Sequence, residues 1–185
     1  MQIKGMIVKS RIDLVKDNFG QDSWERVLKA LPTQDQQVLK GVVIAATWYP
    51  FEMGKRLDKA IVDVLGKGDK RFFEKLGVKS AQKSLTKEHK SFLVPGNPQA
   101  FMGRANMIYR YYYNTGHREY KETGPTSGVM TTFDAETFSE PDCLTVIGWY
   151  KEALKMCGAK DVTVVEEACR ARGGTCCRYC FSWRM

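Results

Sequence analysis

Histidine is nearly missing: His89 and His117 are the only two in 185 residues. A catalytic thiol or hydroxyl needs a base within hydrogen-bond reach, and neither histidine lies near a cysteine in sequence, so nothing specifies nucleophilic catalysis. A glycine-rich phosphate loop, paired carboxylates at a plausible site and a triad are also lacking, which makes an enzyme the weakest class and leaves no catalytic residue to name. Long apolar runs are absent too. The opening "MQIKGMIVKSRIDLVKDNFG" breaks every short one with a charge, which excludes a signal-peptide core or a spanning helix there. The expectation is a cytoplasmic protein that does not span a membrane. Internal repeats, low-complexity tracts and linkers are not found. We expect one domain over 1–185, mainly helical over 1–115 and then hairpin, helix, hairpin over 116–185.

Acidic residues are outnumbered, 21 against 29 lysines and arginines, for a formal charge of +8. Much of the excess falls in residues 55–90, which hold eleven basic and five acidic side chains. No nucleic-acid motif accompanies that run, so a solvated helical face explains it and no nucleic-acid partner is expected.

What the sequence does have is helical spacing followed by strand spacing. Ile12, Leu14, Val15 and Phe19, then Trp24, Val27, Leu28 and Leu31, predict two helices, the second capped by Asp22 or Ser23. The stretch "TQDQQVLKGVVIAATWYP" predicts a helix or short helices ending before Pro50. Met53, Leu57, Ala60, Ile61, Val64 and Leu65 form one further stripe, and "KRFFEKLGVKSAQKSL" supplies another short helix or two. Residues 98–114 predict a helix with Pro98 in its first turn and a wide aromatic stripe. That stripe is either core or one wall of a ligand pocket, with Phe101, Ile108, Tyr109, Tyr112 and, from a later helix, Trp149 as candidates. The period then changes to hairpin, helix, hairpin, which implies an α+β fold: an N-terminal helical layer packed on a four-stranded antiparallel sheet.

All six cysteines fall between residues 143 and 180. In a reducing compartment such clustering favours metal or thiol chemistry over bridges. Alternation on the last strand sends Cys177, Tyr179, Phe181 and Trp183 to one face and Cys176 and Cys180 to the other, so "CRYC" cannot grip one ion. A better set is Cys143, Glu166, Cys169 and Cys177, three thiolates and a carboxylate suited to structural zinc, provided that a bulge or turn near "EEAC" brings Glu166 and Cys169 together. The alternative is that these cysteines are small buried hydrophobes.

The last fifty residues, "ETFSEPDCLTVIGWYKEALKMCGAKDVTVVEEACRARGGTCCRYCFSW", resemble the vinyl-4-reductase-type small-molecule-binding domain. In its zinc-containing sensor members the ligands are spaced Cys-x22-Glu-x2-Cys-x7-Cys, which Cys143, Glu166, Cys169 and Cys177 match at every interval. The whole chain, including "WYPFEMGKRLDKAI" and "PGNPQAFMGRANMIYRYYYNTGHREY", resembles an uncharacterised domain family of myxobacteria and related deltaproteobacteria. More remotely, "KGMIVKSRIDLVKDNFGQDSWERVL" is similar to the start of haem nitric-oxide-binding domains, and these groups share a fold with the transport-protein-particle (vesicle-tethering) subunits. Those haem domains use a central-helix histidine and a Tyr-x-Ser-x-Arg motif, which "YRYYYNTGHREY" does not supply. With His89 expected at the surface or as a cap, haem is expected to be unlikely. The resemblance implies a non-enzymatic small-molecule-binding sensor or regulatory domain, homodimeric, with an apolar or aromatic ligand, a structural zinc and a regulatory protein partner. The alternative is a dimeric protein-interaction module without a small ligand.

Overall fold

The computed structural model describes residues 1–87, 89–135 and 139–185. The chain begins with a short strand, β1 (Gln2–Lys4), that runs directly into α1 (Gly5–Phe19) and α2 (Gln21–Lys29). The helices meet at Gly20, whose φ of 83° makes it the break between them; no side chain caps α2, so neither Asp22 nor Ser23 takes the expected role. After α3 (Thr33–Lys40) the chain leaves the helical layer, where the spacing predicted more helix, and returns as β2 (Trp48–Pro50), antiparallel to β1. Three-residue strands carry too little alternation to be seen in sequence.

Next come α4 (Phe51–Val64) and α5 (Phe72–Thr86), with Met53, Leu57, Ala60 and Ile61 buried on the predicted stripe of α4. The aromatic segment is two helices, α6 (Pro98–Met102) and α7 (Ala105–Tyr112), interrupted at Gly103 and Arg104; Asn97 caps the first by accepting from the Ala100 N–H. The rest is β3 (His117–Gly124), β4 (Ser127–Phe133), α8 (Glu140–Met156), β5 (Lys160–Ala168) and β6 (Cys177–Arg184). These four strands form one antiparallel sheet in the order β3-β4-β6-β5. The α+β architecture expected from the change of period is the one observed.

Burial alternates along β6: Cys177, Tyr179, Phe181 and Trp183 point inward while Arg178, Ser182 and Arg184 are exposed. One face of the sheet is therefore covered and the other open, as an antiparallel sheet allows. Tyr150 of α8 meets Phe181 on the covered face with ring centroids 5.8 Å apart. Across α8 lies α5, and the two helices touch backbone to backbone. A Cβ on Gly77 would collide with the Thr145 carbonyl, and one on Gly148 with the Glu74 carbonyl. Glycine at both positions permits this crossing, which fixes where α8 sits beneath the helical layer.

Candidate functional site

Beside that crossing the helical layer does not fill its interior. A cavity of about 250 Å³ opens between α1, α5, α7 and α8. That is far more than the roughly 10–15 Å³ needed by one water. Leu14 lines it from α1, Ser84 from α5, Ile108 and Tyr112 from α7, and Val146 and Trp149 from α8. Of the five residues expected to form a pocket wall, Ile108, Tyr112 and Trp149 face this cavity. Phe101 and Tyr109 do not. Phe101 is fully buried behind Trp149, at a ring distance of 6.2 Å, and Tyr109 donates its hydroxyl to the Thr115 carbonyl.

Sequence spacing missed the charged groups at this cavity. Arg11, Asp142 and Arg118 all line it, and each is buried. Arg11 donates through Nε to Asp58 Oδ1 at 3.0 Å and through Nη2 to Asp142 Oδ1 at 2.9 Å. Ser139 caps α8 by accepting from the Asp142 N–H and donates to Asp58 Oδ2, while the Tyr113 hydroxyl donates to Asp142 Oδ2. Burial pushes the Asp58 carboxyl above the usual carboxylate range, with Arg11 opposing the shift and the neighbouring Asp142 charge adding to it. Arg118, from β3, is different. It donates to Thr132 Oγ1 at 2.9 Å and to the Tyr150 hydroxyl at 3.5 Å, and takes part in none of the ion pairs found among the described residues. A helical amphipathic stripe reveals apolar faces, and an arginine at the start of a polar strand gives no sign of being buried.

Neither histidine lines the cavity. His89 was expected at the surface or as a cap, but is buried at 3 % exposure, stacked on Phe92 and edge-on to Tyr111 and Tyr112. His117 sits on β3 against Phe133, near Glu119 and Asp134.

The second cluster lies one residue past Asp142. Cys143 is in the first turn of α8, Glu166 on β5, Cys169 just beyond β5 and Cys177 at the start of β6. Pairing slips between Glu166 and Ala168, where two residues oppose one on β6, and this bulge turns Glu166 and Cys169 toward a common point. One ligand atom from each of the four lies within 4.8 Å of the others. The Cys143 sulfur is 3.6 Å from that of Cys169 and 3.8 Å from that of Cys177. A tetrahedron with Zn–S bonds of about 2.3 Å has an edge of about 3.8 Å, so the thiols stand at zinc-cage spacing and well beyond the roughly 2.05 Å of a disulfide. The Arg170 N–H donates to Cys177 Sγ at 3.3 Å. Glu166 Oε2 accepts from Arg172, while Oε1 is buried without a partner. Hydrogen bonding from Cys143 lowers the Cys169 thiol to about 7, and the thiols around Cys143 hold its own proton on. Cys176 and Cys180, both half-buried, stand apart from the cluster.

Comparison with solved structures places the fold. The H-NOX protein from K. algicida, in its Fe(II) unliganded state, superposes with a TM-score of 0.76 over 99% of this chain and 97% of its own, at 11% identity. A point mutant of the T. tengcongensis H-NOX gives 0.73, with coverage of 99% and 98% at 13% identity, and an S. oneidensis H-NOX in the Fe(II)NO state gives 0.69, with coverage of 99% and 100% at 16% identity. No curated protein sequence matches. Two family models do: one described as haem-NO-binding over residues 4–120, and one described as a protein of unknown function (DUF2378) over residues 81–184. Neither description names the vinyl-4-reductase-type domain or the myxobacterial group.

The expectation that haem is unlikely is overturned by the first of these matches, together with structural neighbours described with haem or Fe(II). It rested on the absent motif and on a surface or capping place for His89, both poor guides to a relationship carried by the fold and by the N-terminal two thirds. Among the cavity-lining residues Arg118 offers a cation that would suit an acidic group, and none offers an imidazole that would hold an iron. Each of the two matches spans more than half of the residues, and the chain belongs to the haem-NO-binding family, with the DUF2378 family overlapping it toward the C-terminus.

Proposed function

We propose that the chain is a non-enzymatic sensor domain whose small-molecule ligand occupies the cavity between α1, α5, α7 and α8, with Ile108, Tyr112 and Trp149 as its wall and Phe101 and Tyr109 supporting that wall. The observation that carries this reading is the cavity itself, an apolar and aromatic space left open inside a haem-NO-binding scaffold. Family membership favours it over the alternative of an interaction module without a small ligand. Native mass spectrometry and an absorption spectrum of protein produced with a haem precursor test the reading together. A Soret band with haem retained would identify the ligand as haem, and an organic mass without that band would identify another. Protein that retains nothing and takes up neither haem nor a neutral apolar probe would overturn it.

The proposal includes a structural zinc held by Cys143, Glu166, Cys169 and Cys177, supported by the thiol spacing and by the unpartnered Glu166 Oε1. Three thiolates and a carboxylate fill a tetrahedron and leave no open position, so the ion would tie α8 to the β5–β6 hairpin and perform no chemistry. A cytoplasmic homodimer that signals to a regulatory protein completes the reading; none of the described helices is long and apolar enough to cross a membrane.

A further inference from the structure

The described interior holds two buried arginines, and they differ in one respect. Arg11 is shared by two aspartates. Arg118, at 4 % exposure, has no carboxylate within ion-pair distance among the described residues. Its guanidinium lies over the rings of Tyr109 and Tyr150, 4.8 and 5.6 Å from their centroids, and its Nη2 is buried without any hydrogen-bond partner. A desolvated charge with an unfilled donor is costly unless something compensates it, and ring faces compensate only in part. The nearby acids are engaged elsewhere, since Asp58 and Asp142 both accept from Arg11. A second orphan, the Ser84 hydroxyl, also belongs to a cavity-lining residue. At the rim stand the exposed Lys9, Lys79 and Lys83 with Asp13 and Asp17, an excess of positive charge where a ligand would enter.

Resting on the reading of this cavity as a ligand site, we propose that its ligand is a monocarboxylate joined to an apolar or aromatic body, and that Arg118 receives the carboxylate. A carboxylate fits because a planar guanidinium with a free N–H recognises it in geometry as well as charge. A phosphate would bring more charge than Arg118, the one buried cation of the lining without an acidic partner among the described residues, can meet. The apolar body would lie against Leu14, Ile108, Tyr112 and Trp149.

Calorimetric titration with 4-phenylbutyrate and with 4-phenylbutanamide, which share a skeleton and differ in charge, tests this. Wild-type protein should bind the acid at least about tenfold more tightly than the amide, equivalent to about 1.4 kcal/mol. In Arg118→Met the preference should vanish, and Arg118→Lys should keep part of it. Thermal melting of both variants shows whether they fold. Equal affinity for acid and amide in wild type, or a preference that survives in Arg118→Met, would overturn the carboxylate assignment and leave the cavity reading standing. Binding of neither compound would overturn both.

Discussion

Around Asp142 the interior holds hard charges, and around Cys143, the next residue, it holds soft thiols. In the first region Arg11, Asp58, Asp142, Ser139 and Tyr113 satisfy one another at fixed angles, and the space beside them remains open as a cavity. In the second, three sulfurs and a Glu166 oxygen lie within reach of one another, and Glu166 Oε1 is buried without a partner. Burying a charge is costly unless it is paired, and Arg11, Asp58 and Asp142 find their partners within the protein alone. Thiols tolerate burial while neutral, so the cluster can be packed in advance and acquire its charge with a cation. One region is internally satisfied beside an empty space, and the other is compact with unused ligands.

The largest expected effect comes from the thiol side. Elemental analysis should find about one zinc per chain, and Cys169→Ala should lose it together with much of the folding stability, because structural zinc contributes on the order of 10 kcal/mol of apparent binding energy. Cys180→Ala, outside the cluster, should change neither. Metal-free wild-type protein as stable as the variant would remove the contrast.

An intermediate effect is expected from the charged side. Arg11→Met leaves two buried carboxylates facing each other and should cost about 3–5 kcal/mol in urea unfolding, part of which Asp58→Asn recovers in the double variant. A cost near zero would mean that the network is no more demanding than the thiols.

The smallest effect is a pH slope. Since burial raises the Asp58 carboxyl, the folded state holds its proton more tightly than the unfolded chain does. Its contribution to stability is full below the unfolded carboxyl value of about 3.9 and declines as pH rises toward the raised folded value. Asp58→Asn should flatten that part of the melting profile. An unchanged slope would place the titration elsewhere.

Much of this arrangement was legible in the residues and some was not, for identifiable reasons. The alternation in "CRYCFSWR" gave the buried face of β6, and the spacing of Cys143, Glu166, Cys169 and Cys177 identified four residues that the fold gathers. Both rest on periodicity or on intervals, which a sequence displays directly. The bulge at Glu166–Ala168 was a requirement that spacing imposed, and it is present. The cavity wall was only partly legible, because helical spacing shows that Phe101 and Tyr109 face inward and not whether the inside is filled. Arg11 and Arg118 were missed altogether. A buried arginine is recognised by its partners, and those of Arg11 lie 47 and 131 residues away. The pairing of β1 with β2 was hidden for the same reason, being a contact between the start of the chain and Trp48–Pro50.

Asp142 and Cys143 face the two regions from adjoining positions in the capped first turn of α8. No side-chain relay would be needed between a ligand beside Asp142 and an ion beside Cys143, because one peptide bond already joins the two residues. The glycine crossing with α5 holds the following turns of the same helix, at Thr145 and Gly148, and a rotation of α8 would carry the carboxylate and the sulfur together. The two candidate sites thus share one turn of backbone.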